Sequence, residues 1–116
     1  MNYPGKELEV FDAAKIFQKY VFFLIKKYFK DGIFEVGAGL GSFTREYINE
    51  FKNIHLSDLD QGNYKILKEK FDNHNVKITN EKISETNLTY NTIVYLNVLE
   101  HISDDNKEIE IAISKL

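Results

Sequence analysis

Three of the six glycines, Gly37, Gly39 and Gly41, fall within five residues. They follow the β-prone run Ile33-Phe34-Glu35-Val36 and precede Phe43, Tyr47, Ile48 and Phe51, which recur at helical spacing. The pattern predicts a strand, a glycine turn and a helix. An ordinary strand-to-helix turn needs one glycine. Three of them admit positive φ and let a ligand approach the backbone, while the N–H groups opening the next helix attract negative charge. A carboxylate or phosphate is therefore expected there.

The rest of the chain repeats this alternation. Residues 7 to 30 carry apolar side chains at three-to-four residue spacing, among them Leu8, Phe11, Ile16, Phe17, Tyr20, Leu24 and Tyr28, so an N-terminal helical segment is expected over 1–31, closed by Gly32. Nine of the 16 aromatic residues lie at or before Phe34 and are expected to pack against the sheet. Ile54 to Ser57 reads as a second strand, followed by an amphipathic helix through Tyr64, Leu67 and Phe71. Val76 to Thr79 reads as a third strand, and Thr92 to Asn97 as a fourth whose nearly continuous apolar run suits a central position. A last helix carries Ile109, Ala112, Ile113 and Leu116 on one face, with Asp104 and Asp105 at its positive end. Such alternation implies right-handed crossovers and an α/β fold: a Rossmann-like parallel sheet of order 3-2-1-4 with flanking helices.

Composition narrows the class. A chain of 116 residues, 43% hydrophobic and with one proline, suits a single small domain over 1–116 and excludes a disordered or collagen-like one. With 15 Lys+Arg against 18 Asp+Glu the net charge is -3, from which no nucleic-acid partner is expected. The absence of cysteine removes thiolate metal sites and fits a reducing compartment. His55 and His74 lack partners at metal-ligand spacing, so no metal is expected. The most apolar short run, Tyr20 to Ile25, is far below the ~20 residues that span a bilayer. No secretory signal is visible at the start, and the expectation is a cytoplasmic protein with no membrane partner.

Asp58 follows Gly37 by 21 positions at the end of the second strand, close to the ~20-residue offset at which an acidic residue accepts hydrogen bonds from ribose hydroxyls. An adenosine ligand is the natural reading. Asp60 shares that place or caps the next helix. A dinucleotide fingerprint wants glycine first, third and sixth, whereas Ser42 stands sixth here and Gly41 comes one place early, which weakens a nicotinamide-dependent oxidoreductase.

Taken together, Phe34-Glu35-Val36-Gly37-Ala38-Gly39-Leu40-Gly41-Ser42-Phe43-Thr44, the downstream Asp58, and Asn97-Val98-Leu99-Glu100-His101-Ile102 closely resemble the class I methyltransferases that use S-adenosylmethionine. The resemblance runs from about Ile33 onward and is greatest to a small-molecule branch with a Val-Leu-Glu-His run after the fourth strand. It implies S-adenosyl-L-methionine as cofactor. Gly37, Ala38, Gly39 and Gly41 would face its methionine part, with Glu35 either helping to hold the amino end or serving a structural role. Asp58 would bind the ribose, Leu59 would lie against adenine, and Asn97 to Leu99 would border the transfer site. His101 is the candidate base for a hydroxyl acceptor, or a residue that shapes the loop. The family's acid after the third strand is replaced by Lys82, with Glu81 one position earlier.

The resemblance also implies a sheet of about seven strands, so the chain reads as a truncated methyltransferase transferring methyl to a small-molecule acceptor. Order 3-2-1-4 leaves the fourth strand at an edge, open to self-association or a partner subunit. The alternative is a non-catalytic interaction module with a vestigial nucleotide pocket.

Overall fold

The computed structural model describes residues 4–96 and 98–116, with side chains described from Ala14 onward except that of Glu100. The elements are α1 (Pro4–Ile25), β1 (Ile33–Val36), α2 (Thr44–Tyr47), β2 (Ile54–Ser57), α3 (Gln61–Lys70), β3 (Val76–Thr79), β4 (Thr92–Tyr95) and α4 (Asp105–Ser114). Short 3₁₀ turns cover Lys26–Tyr28, Ile83–Glu85 and Leu99–His101.

The four strands form one parallel sheet in the expected order β3-β2-β1-β4. Consecutive parallel strands cannot be joined by a tight turn, so the chain crosses over through α2 and then α3 before returning to the far side of β1 for β4. The direction of winding therefore reverses between β1 and β4. In open sheets of this kind, ligands bind in the crevice at the carboxyl ends of the strands where the order reverses.

Side chains alternate across the sheet and divide the core in two. On one face Ile33, Leu56 and Val94 pack with Phe22 and Phe29, with Phe43 and Tyr47 of the glycine-turn region, and with Leu67 and Phe71 around α3. The aromatic rings there meet edge-on or tilted, as for Phe22 against Phe29 with centroids 5.5 Å apart. On the other face a smaller cluster joins Phe34, Ile83, Tyr90 and Ala112 of α4. His55 belongs to this second side. Its ring stacks on Phe34 at 4.1 Å, and its two nitrogens meet Tyr90 Oη and Thr79 Oγ1, each at 2.7 Å. Burial, and secondarily the charge of Lys77, pushes its pKa down to about 4.

Three expectations need correction. The helix after the glycine turn is a four-residue α2, with Ile48 to Glu50 in turns beyond it. Burial keeps its period beyond α2 without regular helix, since Ile48 is buried and Phe51 packs against the same core. Next, the fourth strand is an edge, as the order 3-2-1-4 implies, and not the central strand that its apolar run suggested; only Val94 of its four residues is buried. A continuous apolar run reports covered faces, not neighbours on both sides. Finally, the N-terminal aromatics do not all pack inward: Phe22 and Phe29 do, while Phe17, Tyr20, Phe23 and Tyr28 are exposed. Among the described residues, no helix is long and apolar enough to cross a membrane.

Candidate functional site

The site forms where the glycine turn leaves β1. Gly37, Gly39 and Gly41 all adopt positive φ, at 70°, 62° and 78°, but for different reasons. A Cβ on Gly41 would lie 2.5 Å from the Phe71 ring, and one on Gly37 would lie 2.7 Å from Val98. These two let neighbouring elements close onto the turn. Among the described residues, a Cβ on Gly39 would meet nothing within 4 Å, so Gly39 faces open space beside them. Of the three, it alone has no packing partner to account for it, and it leaves the room a ligand needs.

The turn is held by its own amides. Gly37 and Ala38 donate to the Ser57 carbonyl at 2.8 and 2.9 Å, Gly41 donates to the Ala38 carbonyl at 3.0 Å, and Gly39 donates to Asp58 Oδ2 at 2.8 Å. The expectation of open amides waiting for an anion is thus not met at these four positions. With α2 only four residues long, the helix macrodipole adds little. What the turn offers is space and a carboxylate.

Asp58 brings together the two halves of the site. Its Oδ2 holds the Gly39 amide, and its Oδ1 accepts from the Asp60 amide at 3.0 Å and from Asn63 Nδ2 at 3.4 Å. Asp60 caps α3 by accepting from the Asn63 amide at 2.8 Å, the second of its two anticipated roles. Glu35, one strand away, is built differently. It is 3% exposed, and its Oε1 accepts from Thr44 Oγ1 at 2.7 Å and from Tyr47 Oη at 2.6 Å. Burial raises its pKa to about 7 against the opposing pull of those two hydrogen bonds. The structure places Glu35 beneath the turn, tying β1 to α2.

A cavity of about 450 Å³ opens at the carboxyl ends of the strands, where the winding reverses. Gly37, Asp58, Leu59 and His101 line it, as do Glu81 and Lys82 after β3. Ala38, Gly39, Gly41, Glu35 and Leu99 are not among its lining residues, and Asn97 lies outside the described residues. Two further polar lining residues escaped the sequence reading. Ser57 reaches the cavity as the last residue of β2 and donates to the Glu81 carbonyl. Glu108 reaches it from α4, where its Oε2 accepts from Tyr95 Oη at 2.6 Å. Burial and the Glu108 carboxylate together raise the Tyr95 pKa. The run of acids opening α4 was visible in the sequence, but which of them turns toward the strand ends is set by packing.

Larger cavities of this kind, some 300–1,000 Å³, are the usual size for small-molecule and cofactor sites. The open room beside Gly39 and the adjacent Asp58 carboxylate suit a nucleoside with a polar tail. Among the described residues, no group of three or more His, Asp or Glu side chains is arranged to hold a metal ion.

Comparison with known proteins agrees with this geometry. Residues 11–114 match the family described as ribosomal RNA adenine dimethylase. A ribosomal RNA small subunit methyltransferase A from Mycoplasma mycoides subsp. mycoides is 36% identical over 56 residues, which are 48% of this chain and 21% of that protein. Its counterpart from Mycoplasma capricolum subsp. capricolum is 34% identical over the same shares. Among solved structures, an S-adenosylmethionine-dependent methyltransferase from Clostridium acetobutylicum superposes with a TM-score of 0.73 at 24% identity, covering 85% of this chain and 46% of that one. Magnesium protoporphyrin IX methyltransferase from Synechocystis gives 0.71 at 15% identity, covering 99% and 56%. These structures share the fold. The chain corresponds to about half the length of the solved structures, and the matched segment to about a fifth of the curated relatives.

The family match overturns one expectation, that of a small-molecule acceptor and no nucleic-acid partner. Net charge sums over a whole surface, whereas binding to a phosphate backbone depends on local clusters of lysine and arginine and on the rest of the protein. A four-residue likeness after β4 does not define an acceptor either. Matched over residues 11–114, with the parallel sheet and glycine turn in place, the chain belongs to the ribosomal RNA adenine dimethylase family.

Proposed function

We propose that residues 1–116 form one S-adenosylmethionine-binding unit of an RNA methyltransferase whose acceptor is an adenine of ribosomal RNA. The observation that carries the reading is the cavity at the winding reversal, which unites the glycine turn, Asp58, Leu59 and the segment after β4. In this reading the Asp58 carboxylate accepts hydrogen bonds from the ribose hydroxyls, and Leu59, at 57% exposure, offers an apolar surface to the adenine ring. Gly39 leaves room for the amino-acid tail. Glu35 keeps the turn in place from below through Thr44 and Tyr47. Bound there, the cofactor supplies an activated methyl group for in-line displacement by a nitrogen nucleophile.

The residues' task is then to hold nucleophile and methyl carbon in line, which supplies much of such a rate enhancement without a covalent enzyme intermediate. His101 and Glu108 line the same cavity on the side of β4. There they flank the acceptor nitrogen and take up or relay the proton it releases. An acceptor in ribosomal RNA places the reaction in the cytoplasm.

Calorimetric titration of the chain with S-adenosylhomocysteine tests the cofactor half of the reading. Saturable binding is expected, and its absence would favour the interaction module with a vestigial pocket. The acceptor half is tested by transfer of a labelled methyl group to small-subunit ribosomal RNA from the full-length protein. Label on a small-molecule pool and none on RNA would refute it.

A further inference from the structure

Two cations stand on the outer side of the glycine turn. Lys70, the last residue of α3, donates from Nζ to the Leu40 carbonyl at 2.5 Å, and the Arg45 amide donates to the Gly41 carbonyl at 3.1 Å. Consecutive peptide groups of the turn thus tether an ammonium and the residue that carries a guanidinium. Both residues are exposed, as are Leu40 and Ser42 beside them. The two charges also act on each other, since partial burial and then the charge of Arg45 lower the Lys70 pKa.

The chain does not balance this pair. The acids of the same stretch are already matched, Glu46 with Lys19 at 3.9 Å and Glu50 with Lys26 at 2.6 Å. Among the described residues, no carboxylate lies within ion-pair distance of Arg45 or Lys70, and the Arg45 guanidinium has no hydrogen bond. Like charges held side by side repel unless an anion offsets them. In a chain with 18 acids against 15 bases, leaving two cations together and uncompensated makes a local basic patch that the net charge of -3 conceals.

Position and size indicate which anion the patch takes. Neither Arg45 nor Lys70 lines the cofactor cavity, and Gly41, between that cavity and the patch, is closed over by Phe71. Arg45 and Ser42 instead line a separate depression of about 160 Å³ with Lys15 and Gln18 of α1. That is below the ~300 Å³ at which small-molecule sites begin, so it suits a phosphate group and not a nucleoside. A guanidinium fork, an ammonium and a hydroxyl at the surface match the oxygens of a phosphodiester. Contacts of this kind fix the register of a nucleic acid strand without reading its bases.

We infer that Arg45 and Lys70, with Ser42, hold a backbone phosphate of the RNA strand on the outer side of the glycine turn and so set the strand's register relative to the cavity. The inference rests on the RNA acceptor proposed above and adds a binding surface outside the cofactor site.

The test titrates full-length protein with a fluorescent fragment of small-subunit ribosomal RNA over a series of salt concentrations. Arg45→Gln is expected to weaken binding several-fold and to reduce the slope of log affinity against log salt by about 1. Lys70→Gln should act in the same direction, and the double variant should reduce the slope by about 2. In Arg45→Gln the thermal midpoint and the affinity for S-adenosylhomocysteine should stay at their wild-type values, because its guanidinium has no partner among the described residues. A wild-type affinity and salt slope in Arg45→Gln would overturn the inference and leave the RNA reading standing. So would an equal loss of S-adenosylhomocysteine affinity in that variant, which would assign the patch to the carboxylate of the cofactor. Wild-type protein that binds no RNA at any salt concentration would overturn both.

Discussion

Glu35 stands on β1 and Asp58 just past the end of β2, two positions beyond Leu56, the register partner of Glu35; one braces α2 and the other the glycine turn, and they are opposite in character. Glu35 is sealed in, faces two hydroxyl donors and is biased toward its neutral form. Asp58 lies at the cavity and accepts from backbone amides. The glycines repeat the division, since Gly41 is closed over by Phe71 while Gly39 faces open space. One short segment thus contains a part that builds the fold and a part that leaves room for a ligand. Substitutions should separate the two cleanly.

The largest effect is expected from Glu35→Ala. It strands the Thr44 and Tyr47 hydroxyls in the core and leaves a cavity, which should cost about 3–5 kcal/mol in denaturant unfolding. A cost near zero would show that the buried carboxylate is not a structural tie. Gly41→Ala should follow, at about 2–4 kcal/mol, because its Cβ meets the Phe71 ring and its φ of 78° is strained for any side chain. The same change at Gly39 should cost only the backbone strain, about 1–2 kcal/mol, while hindering S-adenosylhomocysteine binding. Equal losses of stability at both glycines would erase the distinction between packed and open positions.

Asp58→Ala is expected to do the reverse of Glu35→Ala. Removal of charge-assisted hydrogen bonds worth roughly 1.5–3 kcal/mol should weaken cofactor binding by about ten- to more than a hundredfold. Unfolding should change less than in Glu35→Ala, although the Gly39 and Asp60 amides lose an acceptor. An unchanged dissociation constant in calorimetry would remove Asp58 from the ribose role.

Much of this division was legible in the sequence, and the exceptions share a cause. The bounds of β1, β2 and β3, the strand order and the placing of the glycine turn follow from local periodicity and turn chemistry, and the structure has them there. The crowding of glycines pointed to the turn, but not to which glycine is open, because that depends on Phe71 and Val98 arriving from distant parts of the chain. Likewise the approach of Glu108 to the cavity and the stacking of His55 on Phe34 are tertiary facts with no local signature. The expectation of no nucleic-acid partner failed against the family match for a different reason, since a sum of charges carries no information about where they cluster.

The smallest effect concerns pH, and it sets Glu35 against the buried His55. Glu35 titrates near 7 in the fold against an ordinary 4.5, so the folded state holds a proton that the unfolded chain has released, and its contribution to stability is lost as pH rises from 4.5 to 7. His55 titrates near 4 against an ordinary 6.5, so the unfolded chain binds the extra proton, and stability from this residue is gained as pH rises from 4 to 6.5. Over the shared window the two slopes oppose and the wild-type profile should be nearly flat. Glu35→Gln keeps an oxygen for Thr44 and Tyr47 but cannot titrate. It should unmask the His55 slope, a rise with pH of at most about 1.4 kcal/mol per unit in urea unfolding. If the Gln variant keeps the wild-type profile, Glu35 titrates alike in the folded and unfolded chain, and its burial does not bias it toward the neutral form.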